Sequence, residues 1–322
     1  MNRKDFLSLS TKAAVFLGLS TAISCKEETL EKTNNLLDKT SKGTAFGLKT
    51  PKIDNVRVGI IGAGNRGQTL IQMFDWLVKN NNATIVAIAD LKKEKTDKLN
   101  AHLKKTHNTI ADAYFGNPDA WKKIADRGDI DLLIIATPWE MHTEMCLYGM
   151  EKGKHVASEV PIGYTLEDCW KLVETAERTQ KHCMMMENCC FNNEELWVLN
   201  MINQGVFGDL THAEGAYIHD LRKHLLDETY YEDQWRIKHH LKKDGNFYTT
   251  HGLGPISQYM DIGRGDTFDH LVSMSSREKG LSDAAKRAGI DKFSKVKCGD
   301  MNTTMIKTKL GKTIMLQFDV HS

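Results

Sequence analysis

Two things are missing from this sequence: an excess of one charge and a long apolar run. Its 43 basic residues stand against 42 acidic ones, for a formal net charge of +1, and the lysines and arginines are spread along the chain. Without a basic patch there is no electrostatic footprint for a phosphate backbone, so no nucleic-acid partner is expected. No stretch reaches the roughly 20 apolar residues that a bilayer-spanning helix needs. Metal-ligand spacing is missing too. Apart from Cys25, the cysteines Cys146, Cys169, Cys183, Cys189, Cys190 and Cys298 match no metal motif, and His239-His240 falls in a basic segment read as a loop. No metal is therefore expected, and the six thiols read as buried and free, with disulfides left open by spacing alone.

What is present begins with Val56-Arg57-Val58-Gly59-Ile60-Ile61-Gly62-Ala63-Gly64-Asn65-Arg66-Gly67. An apolar strand runs into Gly-x-Gly-x-x-Gly, and a helix-like segment, 68–78, follows. Gly62 permits the tight turn, Gly64 lets backbone approach a pyrophosphate, and Gly67 allows helix to pack on strand. The helix start then presents free N–H groups to phosphate. A second strand, 84–89, ends in Asp90, where an acid meets the adenosine ribose. That acid favours NAD over NADP, although Arg66 partly offsets it. Further apolar strands, 131–138 and 154–159, alternate with helices 92–107, 142–151 and 166–179, and strand 183–186 closes the series. Alternation of this kind predicts an α/β fold, a Rossmann-type doubly wound parallel sheet. Gly62–Gly67, Asp90, Thr137–His142 and Glu159–Pro161 all fall at carboxyl ends of its strands, where such sheets bind ligands.

From about residue 189 the texture changes. A helix over 192–204 precedes strand-like pieces 211–218, 270–275, 303–310 and 313–320, with Gly311-Lys312 as a hairpin turn between the last two. These predict an α+β domain with a mostly antiparallel sheet. The expected organisation is thus a signal at 1–25, a linker at 26–54, a dinucleotide-binding domain at 55–188 and a substrate domain at 189–322. The first 25 residues run from basic (Arg3, Lys4) through apolar to small residues and Cys25, the order of a secretory signal. They resemble a bacterial lipoprotein signal with a weakened twin-arginine motif. The resemblance implies export, lipidation of Cys25, a periplasmic or outer-membrane-anchored location, and membrane contact only through that lipid. The oligomeric state is not readable, and a homo-oligomer is left open.

The strand with Gly-Ala-Gly-Asn-Arg-Gly, then Ile134–Pro138 with His142, then His155–Pro161, resembles the glucose–fructose oxidoreductase/inositol dehydrogenase family. Those proteins carry Glu-Lys-Pro, with a catalytic lysine, where this chain has Glu159-Val160-Pro161. Together with Val160, the stretches Pro138–Glu140, Tyr217–Arg222 and Asn246–Pro255 resemble glycoside hydrolase family 109, from about Val56 onward. That resemblance implies an NAD-dependent α-N-acetylgalactosaminidase acting on a glycan by transient C3 oxidation, elimination across C1 and C2, water addition and re-reduction. It implies cofactor contacts at Gly62, Gly64, Asn65, Arg66, Gly67, Asp90, Trp139, His142, Glu159, Val160 and Asn188. His251, Tyr217 and Tyr248 are the expected proton-transfer groups and also touch substrate, with Arg236 orienting sugar hydroxyls or the N-acetyl carbonyl. His219-Asp220 is read as a positioning pair or a turn, and Met184–Met186 as core strand. The alternatives are an NAD-dependent sugar or inositol dehydrogenase and a non-catalytic lipoprotein binding cofactor and glycan. Family members continue beyond residue 322 with more sheet, so the second domain is expected to be incomplete here.

Overall fold

The computed structural model describes residues 44–293 and 295–322. The signal-like segment with Cys25, and most of the expected linker, lie outside the described residues. Strands β1 (Val56–Ile61), β2 (Ala83–Ala89), β3 (Asp112–Tyr114), β4 (Leu132–Ile135), β5 (His155–Ser158) and β6 (Cys183–Met185) form the first sheet. Helices α1 (Asn65–Lys79), α2 (Lys93–His107), α3 (Ala120–Ala125), α4 (His142–Glu151) and α5 (Leu166–Thr179) connect them. The spatial order is β3-β2-β1-β4-β5-β6 with every pairing parallel. The order reverses between β1 and β4, which opens a crevice beyond their carboxyl ends.

The strands are apolar because both faces of the sheet are covered. Val58, Ile60 and Ile134 pack with Leu70 and Ile71 of α1 and Leu99 and Leu103 of α2. Their neighbours Ile61, Leu133 and Ile135 pack on the other face with Trp121, Met145 and Leu172. Period-two alternation thus feeds two cores, and each fully buried aliphatic side chain contributes about 1.5–3 kcal/mol. Asp-Ala-Tyr of β3 carries no apolar run, so sequence pattern missed it. Met184, expected in the core, is exposed at 44% of its surface. The free thiols divide: Cys146, Cys190 and Cys298 are buried as expected, whereas Cys169 is exposed.

The second half holds α6 (Asn193–Asn203), β7 (His212–Ile218), α7 (Arg222–Leu226), α8 (Trp235–Lys242), α9 (Thr249–Tyr259), β8 (Phe268–Ser275), α10 (Gly280–Arg287), β9 (Met301–Thr308) and β10 (Thr313–Asp319). The sheet order is β7-β10-β9-β8, antiparallel except where β10 pairs with β7. The hairpin connection occupies 309–312 rather than two residues, closed by Thr308 N donating to Lys312 O at 2.9 Å. One face is covered: Ile306, Ile314 and Leu316 meet Ile256 and Met260, while Phe318 and Val320 meet Ile237, Leu281 and Ala285. Along the edge strand β8, Leu271, Val272 and Met274 are exposed. Sequence pattern missed both α8 and α9. The segment read as a basic loop is the helix α8, and it buries His239 and His240. In α9, Gly252, Gly254 and Pro255 lower helix propensity, and packing against β7 overrides it. No helix among the described residues is long and apolar enough to cross a membrane.

Candidate active site

The turn after β1 is shaped by what glycine leaves out. Gly62 has φ +93°, and a Cβ there would lie 2.6 Å from Ala136 O of the neighbouring strand end. A Cβ on Gly67 would lie 2.0 Å from Gly62 O, so α1 can start this close to the loop only without one. At Gly64 nothing lies within 4 Å of that position, which leaves room for a ligand to reach the backbone. The first turn of α1 holds no acidic residue, so its N–H groups face the crevice without an internal counter-charge. Asp90 closes the loop: its Oδ2 accepts from Ala63 N at 2.7 Å and its Oδ1 from Lys92 N at 2.9 Å. Arg66 Nε donates to Glu159 Oε1 at 2.6 Å, which commits that cation to Glu159 rather than leaving it to offset Asp90. The cradle fits a dinucleotide's pyrophosphate.

Two further expected contacts serve the scaffold as well. The His142 ring is buried between Thr137 O, 2.7 Å from Nε2, and Pro161 O, 2.8 Å from Nδ1. Burial lowers its pKa against the pull of those carbonyls. Val160 is also buried and lines the crevice, so no amine stands at that point.

The facing wall is dense with rings. Tyr217 on β7 stacks on Tyr248 at 4.6 Å, and His251 of α9 lies 5.4 Å from Tyr217 and 4.9 Å from Tyr248. Two glycines allow this closeness. A Cβ on Gly215 would sit 2.8 Å from the Cα of Gly252, so α9 can lie directly on β7. Burial pushes the Tyr248 hydroxyl up to about 12, against the opposing charge of Arg236. At neutral pH it is therefore a donor. Arg236 is buried, not on a solvated rim. Its guanidinium lies 4.8 Å from the Tyr248 ring centroid, 5.1 Å from that of Tyr231 and 5.2 Å from that of Trp139. Nη1 donates to the Tyr231 hydroxyl at 2.7 Å, while Nε and Nη2 have no partner among the described residues. A buried cation with two free donors is suited to a ligand oxygen. The expected His219-Asp220 pair does not form: Asp220 takes Arg222 in a two-pronged contact of 2.8 Å each, and His219 packs on Tyr217.

One functional residue escaped the sequence reading. Glu187, just beyond β6, is buried and its Oε1 meets His251 Nδ1 at 2.5 Å. Burial would raise this carboxyl, but hydrogen bonds from His251 and Thr250 and the charge of His251 bring it below its ordinary value. An ionised Glu187 can only accept, so Nδ1 carries the proton and the lone pair of a neutral His251 sits on Nε2. The available signal was a lone acid ending an apolar strand on the ligand side of a parallel sheet.

Glu187 stands outside the lining, while Tyr217, Tyr248, His251 and Arg236 share one cleft of about 630 Å³ with the glycine turn. It is lined by every expected cofactor and substrate residue except Gly67, whose part is to seat α1 on the loop. A strap from the second half, 229–233, lines the cleft and reaches the first half. Asn65 Nδ2 donates to Tyr230 O at 3.4 Å, and Glu232 takes Lys95 at 2.7 Å and Lys92 at 3.2 Å.

Comparison with known proteins gives a consistent picture. Residues 56–187 match the oxidoreductase family, NAD-binding Rossmann fold, and residues 191–322 match glycosyl hydrolase 109, C-terminal domain. A glycosyl hydrolase family 109 protein of a Shewanella species (strain W3-18-1) is 44% identical over 325 residues, covering 99% of this chain and 69% of that protein. An α-N-acetylgalactosaminidase of Shewanella oneidensis is 43% identical over 324 residues, with the same coverage. Among solved structures, myo-inositol 2-dehydrogenase from Lactobacillus plantarum aligns with a TM-score of 0.62 at 17% identity, over 83% of this chain and 70% of that one. An NAD-binding oxidoreductase from Klebsiella pneumoniae aligns at 0.65 and 16%, over 83% and 67%. At such identities the likeness is one of fold.

Proposed function

The chain belongs to glycoside hydrolase family 109, and from that premise we propose that it is an NAD-dependent α-N-acetylgalactosaminidase that removes the sugar from a glycan without net redox change. Its relative from Shewanella oneidensis carries that activity in its name. The observation that carries the reading is the cleft itself. One wall is a dinucleotide cradle and the other a cluster of tyrosine and histidine, with the apolar Val160 between them. Proton transfer here belongs to side chains of the second half, Tyr217, Tyr248 and His251, not to an amine beside the loop.

Gly62, Gly64, Asn65, Arg66, Asp90, Trp139, His142, Glu159, Val160 and Asn188 would hold NAD, which when bound supplies a hydride acceptor and, later in the cycle, a hydride donor for one ring carbon. The protein's own part is to bind, orient and move protons. His251 Nε2 takes the hydroxyl proton at C3, with Glu187 fixing the ring and stabilising the imidazolium that forms. Tyr217 assists at C2, and the protonated Tyr248 donates a hydrogen bond to the sugar oxygen. The free donors of Arg236 hold a sugar hydroxyl or the N-acetyl carbonyl. Around them Trp139, Tyr231 and Tyr248 limit water. The basic–apolar–small order of the first 25 residues supports export with a lipid on Cys25, checked by fatty-acid labelling of wild type against Cys25→Ser.

The test is release of p-nitrophenol from its α-N-acetylgalactosaminide and a panel of other glycosides, before and after stripping the dinucleotide. Release that fails on stripping and returns with NAD, with no NADH accumulating, is expected. Undiminished release from stripped protein overturns the reading. Steady NADH formation on free sugar would make the protein a dehydrogenase, and binding without release a non-catalytic glycan receptor.

A further inference from the structure

Behind the ring-lined wall, three side chains far apart in sequence meet in the core. His240 comes from α8, Cys298 from the loop before β9, and His321 follows β10. All three are buried, one ligand atom from each lies within 4.8 Å of the others, and none lines the cleft. We propose that His240, Cys298 and His321 form a structural site for a zinc ion that ties α8 to the end of β10.

The donor set is the first reason. Two imidazoles and a thiol are donor types zinc prefers, and together they supply three corners of a tetrahedron. The second is the state of the rings. His240 Nδ1 and His321 Nε2 face each other at 2.9 Å. A metal ion between them takes the place of that single ring-to-ring hydrogen bond. Metal–nitrogen bonds of about 2.0 Å at tetrahedral angles need facing nitrogens roughly 3.3 Å apart, so an opening of a few tenths of an ångström seats the ion. The third is the group behind His321. Asp300 Oδ1 stands 3.4 Å from Nδ1, the position in which a carboxylate orients a metal-bound imidazole.

The Cys298 Sγ–H reaches the carbonyls of Gly245 at 3.9 Å and Gly299 at 3.4 Å. Zinc binding displaces that proton to solvent, and a thiolate–zinc bond replaces S–H. The spacing rules that exclude a metal in the sequence fail because no two of these residues are near neighbours. The consequence reaches the cleft through α8, where Arg236 lies one turn before His240.

Metal analysis of the full protein, purified without chelator, is expected to find about one zinc per chain. Cys298→Ser and His321→Ala should each hold less than about a tenth of that amount. Less than about half an ion in wild type, or undiminished content in both variants, overturns the proposal. Because either variant could fail to fold, the wild-type protein is also exchanged with cobalt. A near-ultraviolet thiolate-to-cobalt band is expected, and its absence under stoichiometric cobalt overturns the site. Neither measurement involves substrate, so failure here is separable from failure of the glycosidase reading.

Discussion

The two walls of the cleft are built on opposite principles. The wall made by β1, the glycine turn and α1 works by subtraction: side chains are absent, backbone N–H groups point outward, and the one carboxylate at its edge, Asp90, is tied back onto the loop. The wall made by β7, α8 and α9 works by addition, gathering Tyr217, His251 and Arg236 around Tyr248 at about 5 Å each. Subtraction tolerates no added atoms, whereas addition is graded, because each group contributes separately. Mutations should expose that asymmetry.

The largest effect is expected at Gly62→Ala. A left-handed φ and a 2.6 Å contact with backbone leave no escape, so stability should fall by about 3 kcal/mol or more and NAD binding should be lost. Thermal unfolding and fluorescence titration with NAD check both, and a stable, NAD-binding variant would break the comparison. Next, His251→Ala should lower turnover by about 10² to 10⁴ while NAD affinity stays within about threefold. Glu187→Gln should cost about 10- to 100-fold in kcat, since the ring keeps its place but loses the charge that supports an imidazolium. The same residue gives a stability prediction. Its folded pKa lies below the ordinary value, so its contribution is complete above the ordinary carboxylate range and is lost as pH falls through the folded value. Wild type should therefore lose more stability than Glu187→Gln between about pH 5 and pH 3, read from urea midpoints. The smallest effect is expected for Glu232→Gln in the strap. Exposed ion pairs are worth about 0–1 kcal/mol, so NAD should leave about two- to fivefold faster, and less so at high salt.

The same contrast explains what the sequence could tell. The first wall was legible because its parts are contiguous: strand, turn and helix start fall within a dozen residues, and Asp90 ends the next strand. Tyr217, Tyr248 and His251 were legible only through a resemblance, since nothing in their own spacing brings them together. Glu187 and His251 are 64 residues apart, and the closeness of β7 and α9 depends on Gly215 and Gly252, which read locally as helix and strand breakers. Helix α8 was missed for a related reason. Its polar and basic residues read as solvated, yet Arg236, His239 and His240 are buried among rings, a decision made by tertiary packing. The partnerless nitrogens of Arg236 and His240 are visible only once the chain is folded.

The strap along the cleft bears on how such a catalyst is supplied. An enzyme that hands its electrons back before each product leaves has no need to trade carriers with a cellular pool. Glu232 meeting two lysines, with Asn65 donating to Tyr230 O, adds only a small increment to the hold on that carrier. Loaded once, a molecule of this kind would need no fresh dinucleotide to keep working.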